Sequence, residues 1–276
     1  MAKKEIKVPI KTISNVNDFT SVALKLSRVN GWMPYKLASE NLGIFKLAFF
    51  WVSQINIAMS LVQGMSYFLM NLSDPTKIME ITNLGPCMGM VMLAMMKMYM
   101  VIYRNKDKIT ALMEKLDTLY PKTLEDQEKY GVQKVLDQLK FIMIGYSIMY
   151  MSLLWIFNLM PIYNAIYYYF VDGVIYHKEL PYIMWYPFDP LQPILYELSY
   201  FSSVWAGFTT ALAVISTDLL YCSILTLLCM EFDILKKNFE DIHVKNAKKS
   251  FDELKKLVSV HIDLIESVLI AEITNK

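Results

Sequence analysis

Cysteine is scarce in this chain. The 276 residues hold three, Cys87, Cys222 and Cys229, and each lies inside an apolar stretch. None falls in a polar segment between stretches, so no disulfide framework is expected. Histidine is as scarce. His177, His243 and His261 are far apart and make no metal-ligand spacing, so no metal site is expected. The nine glycines form no phosphate-cradling loop, and no Gly-x-Ser-x-Gly elbow or His-Glu-x-x-His run is present. An enzyme therefore has no positive support, and no cofactor is implied. Charge of one sign is lacking too. Against 27 Lys and Arg stand 26 Asp and Glu, a net charge of +1, so bulk charge gives no case for nucleic-acid binding. The N-terminal segment is polar and lysine-rich, without a short apolar core and a small-residue cleavage site. No cleavable signal peptide is expected there.

What the sequence has in excess is apolar length. Apolar residues are 55% and the mean hydropathy is +0.33, against ~45–50% apolar in soluble domains with glycine counted. Four apolar runs, 44–70, 81–103, 141–170 and 197–230, each reach the ~20 residues that cross a bilayer as helix. Eight Lys or Arg fall in 1–46, eight in 104–140 and eight in 231–276. Lys77 is alone in 71–80, Lys178 is alone in 171–196, and Lys97 lies inside the second run. Basic residues accumulate on the cytoplasmic side. The expected fold is all-α: a polytopic membrane helix bundle with four transmembrane helices present and a cytoplasmic N-terminus. Residues 1–43 form a cytoplasmic segment, 44–70 the first span, 71–80 an extracellular loop and 81–103 the second span. Residues 104–140 form a cytoplasmic helical loop, 141–170 the third span and 171–196 an extracellular loop. Residues 197–230 form the fourth span and 231–276 a cytoplasmic amphipathic segment.

Local features refine this plan. Gly31-Trp32 and Pro34 interrupt any helix before the first span, and Trp32 and Tyr35 suit an interfacial anchor. Gln54, Asn56 and Gln63 fall on the interior of span one. Asn71-Leu72-Ser73 is a glycosylation acceptor pattern on the predicted outside, although such triplets also arise by chance. Span two is rich in methionine, a side chain that fits irregular ligands as well as irregular cores. Gly85 and Gly89 can allow close helix approach there, and Lys97 can snorkel to the membrane surface. Ile109, Leu112, Met113, Leu116 and Leu119 form a helical stripe that Pro121 breaks. Val132, Val135, Leu136 and Leu139 form a second stripe that runs into span three. Pro161 kinks or ends that span, and Tyr163, Tyr167, Tyr168 and Tyr169 make an aromatic belt. Between Leu180 and Pro193 the prolines, with Trp185, Tyr186 and Phe188, predict an ordered lid. Asp218 falls at the inner interface or inside the bundle, without an evident partner. In the tail, Phe251, Leu254, Val258, His261, Ile265 and Val268 form a stripe that needs a partner helix or a membrane surface.

The run Pro181-Tyr182-Ile183-Met184-Trp185-Tyr186-Pro187-Phe188-Asp189 resembles the outer loop of insect odorant receptors. Tyr196 and Tyr200, Asp218-Leu219-Leu220, Tyr103-Arg104-Asn105 and Leu257-Val258-Ser259-Val260-His261 follow that family in order and spacing. The resemblance covers about 19–276. It implies a seven-helix architecture, inverted relative to G-protein-coupled receptors, and a ligand-gated, non-selective cation channel formed with a co-receptor subunit. It implies volatile odorants as ligands, membrane lipid as surroundings, and the cell membrane of an olfactory neuron dendrite as location. With four spans rather than seven, the chain is expected to be an N-terminal portion that does not conduct.

The resemblance places the odorant pocket among spans two, three and four. The corresponding candidates are Met88, Met92 and Met95; Ile148, Met151 and Trp155; and Ser203, Phe208 and Ala211. Within each of the first two sets, spacings of three, four or seven residues put the side chains on one helix face. Ordinary helix packing is the competing reading for each. A gustatory receptor of the same architecture is the alternative family. A membrane transporter is the alternative class, and polar residues paired across spans would favour it.

Overall fold

A computed structural model of the chain describes residues 13–36, 43–173, 178–241 and 247–275. His177 and His243, and the parts of the N-terminal segment at 1–12 and 37–42, lie outside the described residues. The helices in chain order are α1 (Val16–Phe19), α2 (Ser21–Val29), α3 (Ile44–Asn71), α4 (Ile78–Tyr99), α5 (Lys106–Leu119), α6 (Leu124–Tyr130), α7 (Val132–Asp172), α8 (Leu195–Glu240) and α9 (Ala247–Asn275). Among the described residues, four helical segments are long and apolar enough to cross a membrane: Ile44–Asn71, Pro75–Arg104, Val132–Val171 and Leu195–Glu240. In the most apolar stretch of α8, 67% of residues are buried inside the protein, against 11% in that of α7. α8 thus buries most of its apolar stretch against the protein, and α7 turns most of its apolar side chains outward, as a lipid-facing helix does.

Boundaries follow local chemistry. Asp74 accepts from the Thr76 amide at 3.0 Å, which caps the short turn Pro75–Lys77 ahead of α4. The Thr76 hydroxyl, which also donates to Asp74 at 2.6 Å, and then this amide hold the Asp74 carboxyl below its usual range. α4 runs out through a π-helical turn, Met100–Arg104, closed by the Asn105 amide on the Met100 carbonyl at 2.9 Å. That turn separates α4 from α5, so α5 is its own helix and not an extension of span two. The Thr123 hydroxyl caps α6 by accepting from the Asp126 amide at 3.1 Å. Gly131 ends α6 at φ +72°, a left-handed conformation that suits glycine. α7 begins in the next turn and continues through Pro161 to Asp172, so Pro161 does not end the span.

The chain divides into two compact units. One comprises Met1–Ser21, Ala111–Phe141 and Cys222–Lys276. Its core holds Phe19, Leu112, Leu116, Val132, Leu136, Leu227 and Leu264, each buried large side chain stabilising by ~1.5–3 kcal/mol. Gln127 ties the N-terminal strand of chain into it, accepting from the Ser14 amide at 3.1 Å and donating to the Ser14 carbonyl at 2.8 Å. The Ser223 hydroxyl donates to the Phe19 carbonyl at 3.0 Å. α9 packs here through Leu264 and Ser267, the His261 ring lies 6.3 Å from Phe232, and Lys115 bridges Asp263 and Glu266 at 3.2 and 3.0 Å. α9 therefore has partners in this chain along the face of Leu264 and Ser267, a face beside the expected stripe. The stripe of Phe251, Leu254, Val258, Ile265 and Val268 stays exposed, Phe251 at 66%.

The other unit comprises Val22–Thr110 and Ile142–Tyr221. Polar side chains tie its helices together. Asn56 donates to the Ser202 carbonyl at 2.9 Å and accepts from the Ser202 hydroxyl at 2.6 Å. The Trp205 indole donates to the Ser53 hydroxyl at 3.1 Å, and Gln54 donates to the Met98 sulfur at 3.4 Å. Three expectations are corrected here. Trp32 and Tyr35 are each 3% exposed, core residues rather than interfacial anchors. Nothing approaches within 4 Å of a Cβ built at Gly85 or Gly89, so neither marks a close helix contact. Lys97 does not reach for the surface; it pairs with Asp218, which also accepts from the Tyr146 hydroxyl at 3.3 Å. Asp218 thus has two partners on two other helices. A separation of 121 residues between Lys97 and Asp218 hides that pair from any local pattern.

Candidate functional site

A cavity of about 330 Å³ lies within the second unit, walled by α3, α4, α7, α8 and the segment before α8. Small residues make room for it. α3 contributes Ser60, Leu61 and Gly64, and a Cβ at Gly64 would sit 3.2 Å from the Met88 side chain. α8 contributes Ser203, Ala206, Gly207, Thr210 and Ala211, a run of small side chains at helical spacing. α4 supplies Leu84, Pro86, Cys87, Met88, Met90 and Val91, whose flexible thioethers fill irregular space. α7 supplies Tyr150, Leu153, Leu154 and Phe157.

The segment before α8 closes the wall with Tyr182 and Met184. It has no regular helix from 178 to 194 but is tied at several points. The Tyr182 hydroxyl donates to Asn158 Oδ1 at 3.1 Å, the Trp185 amide donates to the Gln63 carbonyl at 3.2 Å, and the Tyr186 and Ser203 hydroxyls share a hydrogen bond of 3.2 Å. Burial pushes the Tyr182 phenol up to about 12, so it stays a neutral donor at any physiological pH. No Lys, Arg, Asp, Glu or His lines the cavity. Its polar atoms are hydroxyls and one thiol, Cys87, which is free, as are Cys222 and Cys229. Among the described residues, no cluster of His, Cys, Asp or Glu could hold a metal. Such a wall suits a small neutral molecule, discriminated by shape and dispersion.

Of the residues singled out from sequence, Met88, Ser203 and Ala211 line this cavity. Met92, Met95, Ile148, Met151, Trp155 and Phe208 are not in its wall. Met92, Ile148 and Trp155 are exposed on the outer surface, while Met95, Met151 and Phe208 are partly buried elsewhere. On α7 the wall is built from 150, 153, 154 and 157, a neighbouring face to the expected 148, 151 and 155. In the 171–196 segment the wall takes Tyr182 and Met184, while Trp185 and Phe188 remain partly exposed and Tyr186 holds Ser203. Span one was absent from the expected site, yet Ser60 and Gly64, four residues apart, carry the small-residue signal that marks it. Asn71, the glycosylation candidate, ends α3 with its side-chain amide donating to the Tyr67 carbonyl at 2.8 Å.

These features define a multi-pass, all-helical membrane protein with an uncharged cavity inside its bundle. A family profile described as 7tm odorant receptor matches residues 80–272, and the chain belongs to that family. Among relatives, it is 29% identical to odorant receptor 85c of Drosophila melanogaster over 213 residues, 76% of this chain and 54% of that protein. It is 31% identical to odorant receptor 85b of the same species over 214 residues, again 76% and 54%. The chain thus spans about half the length of these relatives. The fold matches the insect olfactory receptor OR5 of Machilis hrabei with a TM-score of 0.71 at 14% identity, covering 94% of this chain and 65% of that one. The same receptor in complex with eugenol matches with a TM-score of 0.68. Membership of a receptor family sets aside both the enzyme and the transporter alternatives, the latter despite the Lys97–Asp218 pair, and favours odorant over gustatory receptor.

Proposed function

We propose that the chain binds volatile, neutral odorants in the cavity among α3, α4, α7 and α8. The observation that carries this reading is an uncharged 330 Å³ cavity in a member of the odorant receptor family. Tyr182, Met184 and Tyr186 act as a lid over it. Met88, Ser203 and Ala211 remain the sequence-derived residues with a direct role in ligand contact, joined by Tyr150, Leu154 and Phe157.

The wider activity follows the family. The N-terminus is cytoplasmic, the complete receptor has seven membrane helices, and a co-receptor subunit completes a non-selective cation channel. The exposed stripe from Phe251 to Val268 supports packing of α9 against another helix of that assembly, because so much apolar surface in water is costly. The test of the binding reading uses the chain purified in lipid nanodiscs. N-phenylnaphthylamine should fluoresce on binding and be displaced by eugenol, and Ala211→Phe or Met88→Trp should abolish the signal while helicity is kept. Unchanged binding in both variants would place the ligand elsewhere.

A further inference from the structure

We infer that the cavity selects ligands carrying a hydrogen-bond acceptor, such as a ketone, ester or ether oxygen, through the hydroxyls of Thr210 and Tyr150. The inference rests on the cavity being the ligand site.

The hydroxyls of α8 show why Thr210 is different. Thr209 donates to the Trp205 carbonyl at 2.8 Å, Ser216 to Leu212 at 2.6 Å, Thr217 to Ala213 at 2.9 Å and Thr226 to Cys222 at 2.8 Å. Each uses the carbonyl four residues back, the usual partner for a helical hydroxyl without water. Thr210 is 5% exposed, stands in the cavity wall, and its Oγ1 has no partner among the described residues. The other cavity hydroxyls on helices or lid are engaged with oxygen. Ser60 donates to the Asn56 carbonyl at 2.9 Å, Ser203 is bonded to Tyr186, and Tyr182 donates to Asn158. Among the described residues, the Tyr150 hydroxyl meets the Met90 sulfur at 3.8 Å, a weak acceptor. Among the described residues, these two hydroxyls of an uncharged wall therefore stand without an oxygen acceptor.

A buried donor left unmatched is costly, and a ligand oxygen that meets it recovers this where a hydrocarbon of the same shape does not. Ligand anions gain nothing comparable, since no basic side chain lines the wall. The cavity should thus discriminate by one oxygen among molecules of equal size.

Acetophenone and α-methylstyrene differ only in a carbonyl oxygen replaced by a methylene. Both are titrated against N-phenylnaphthylamine bound to the chain in nanodiscs. Thr210→Val, close in shape, should weaken acetophenone roughly three- to tenfold and leave α-methylstyrene unchanged. Thr210→Ser should restore acetophenone, and Tyr150→Phe should weaken it in the same selective way. Equal losses for both ligands, or no change for either, overturn the inference while Ala211→Phe still abolishes probe binding. If Ala211→Phe and Met88→Trp leave the probe bound, the cavity reading itself fails and this inference with it.

Discussion

At Gly207, α8 comes close to Tyr182 of the segment that covers the cavity, and Gly207→Ala gives a sharp test of that packing. A Cβ at Gly207 would lie 2.8 Å from the Tyr182 hydroxyl, and 3.4 Å from Tyr182 Cε2 and from Leu154 Cδ1. The last two are ordinary contacts; the first is not. The hydroxyl cannot move freely, because it donates to Asn158 Oδ1 at 3.1 Å, and Asn158 is 1% exposed. The methyl group must displace the phenol and break that bond. Losing a neutral hydrogen bond and leaving a buried amide oxygen unmatched costs about 2 kcal/mol. Tyr182→Phe deletes the same bond and also removes the atom that clashes. Gly207→Ala in the Tyr182→Phe background should therefore cost under about 0.5 kcal/mol, a coupling of about 1.5 kcal/mol between neighbouring sites. Unfolding of the purified chain by sodium dodecyl sulfate titration, with the four members of the cycle compared, measures it. Strict additivity of the two substitutions would refute the packing argument, since it would mean that the methyl group and the hydroxyl never compete for one space.

Asp218→Asn should destabilise the same unit by about 1–2 kcal/mol, less than for a fully buried pair because Lys97 and Asp218 are 24% and 34% exposed; Lys97→Met added to it should recover part of the loss in the same titration. Leu254→Asp with Ile265→Asp lies on the exposed face of α9, so helicity should be unchanged while co-purification with a co-receptor subunit is lost; normal co-purification would assign that face to the membrane surface. A tag at Met1 should be protected in intact cells and one inserted in 171–196 accessible, and the reverse pattern would overturn the charge-based orientation.

The spans were legible because crossing a bilayer is a one-dimensional requirement. Twenty apolar residues in a row are visible without knowing any neighbour; α3 and α4 begin and end within a few residues of the expected runs, whereas α7 begins about nine residues before its run and α8 ends about ten after. The amphipathic stripes of Leu112 and Leu116 and of Val132, Leu136 and Leu139 were legible for the opposite reason: in a water-facing segment only the buried face is apolar, and these residues are buried. Inside the membrane this contrast vanishes. Lipid is as apolar as a protein core, so α7 is apolar all round, and its sequence does not tell the face of Tyr150, Leu154 and Phe157 from that of Ile148, Met151 and Trp155. Size carries the signal that polarity does not. Ser60 and Gly64 on α3, and Ser203, Ala206, Gly207 and Ala211 on α8, recur at helical spacing and mark the cavity wall. Trp32 and Tyr35 show the limit of composition rules, since an aromatic next to a span is equally at home at the interface or in the core.

Photolabelling asks whether ligand enters the cavity among α3, α4, α7 and α8. An alkyl-diazirine analogue of eugenol is crosslinked to the chain in nanodiscs with and without excess eugenol, and adducts are located by mass spectrometry. Competable adducts are expected on cavity residues such as Met88, Leu154, Tyr182 and Met184. Adducts confined to the lipid-facing side chains Ile148 and Trp155, and unaffected by eugenol, would contradict ligand entry into the cavity.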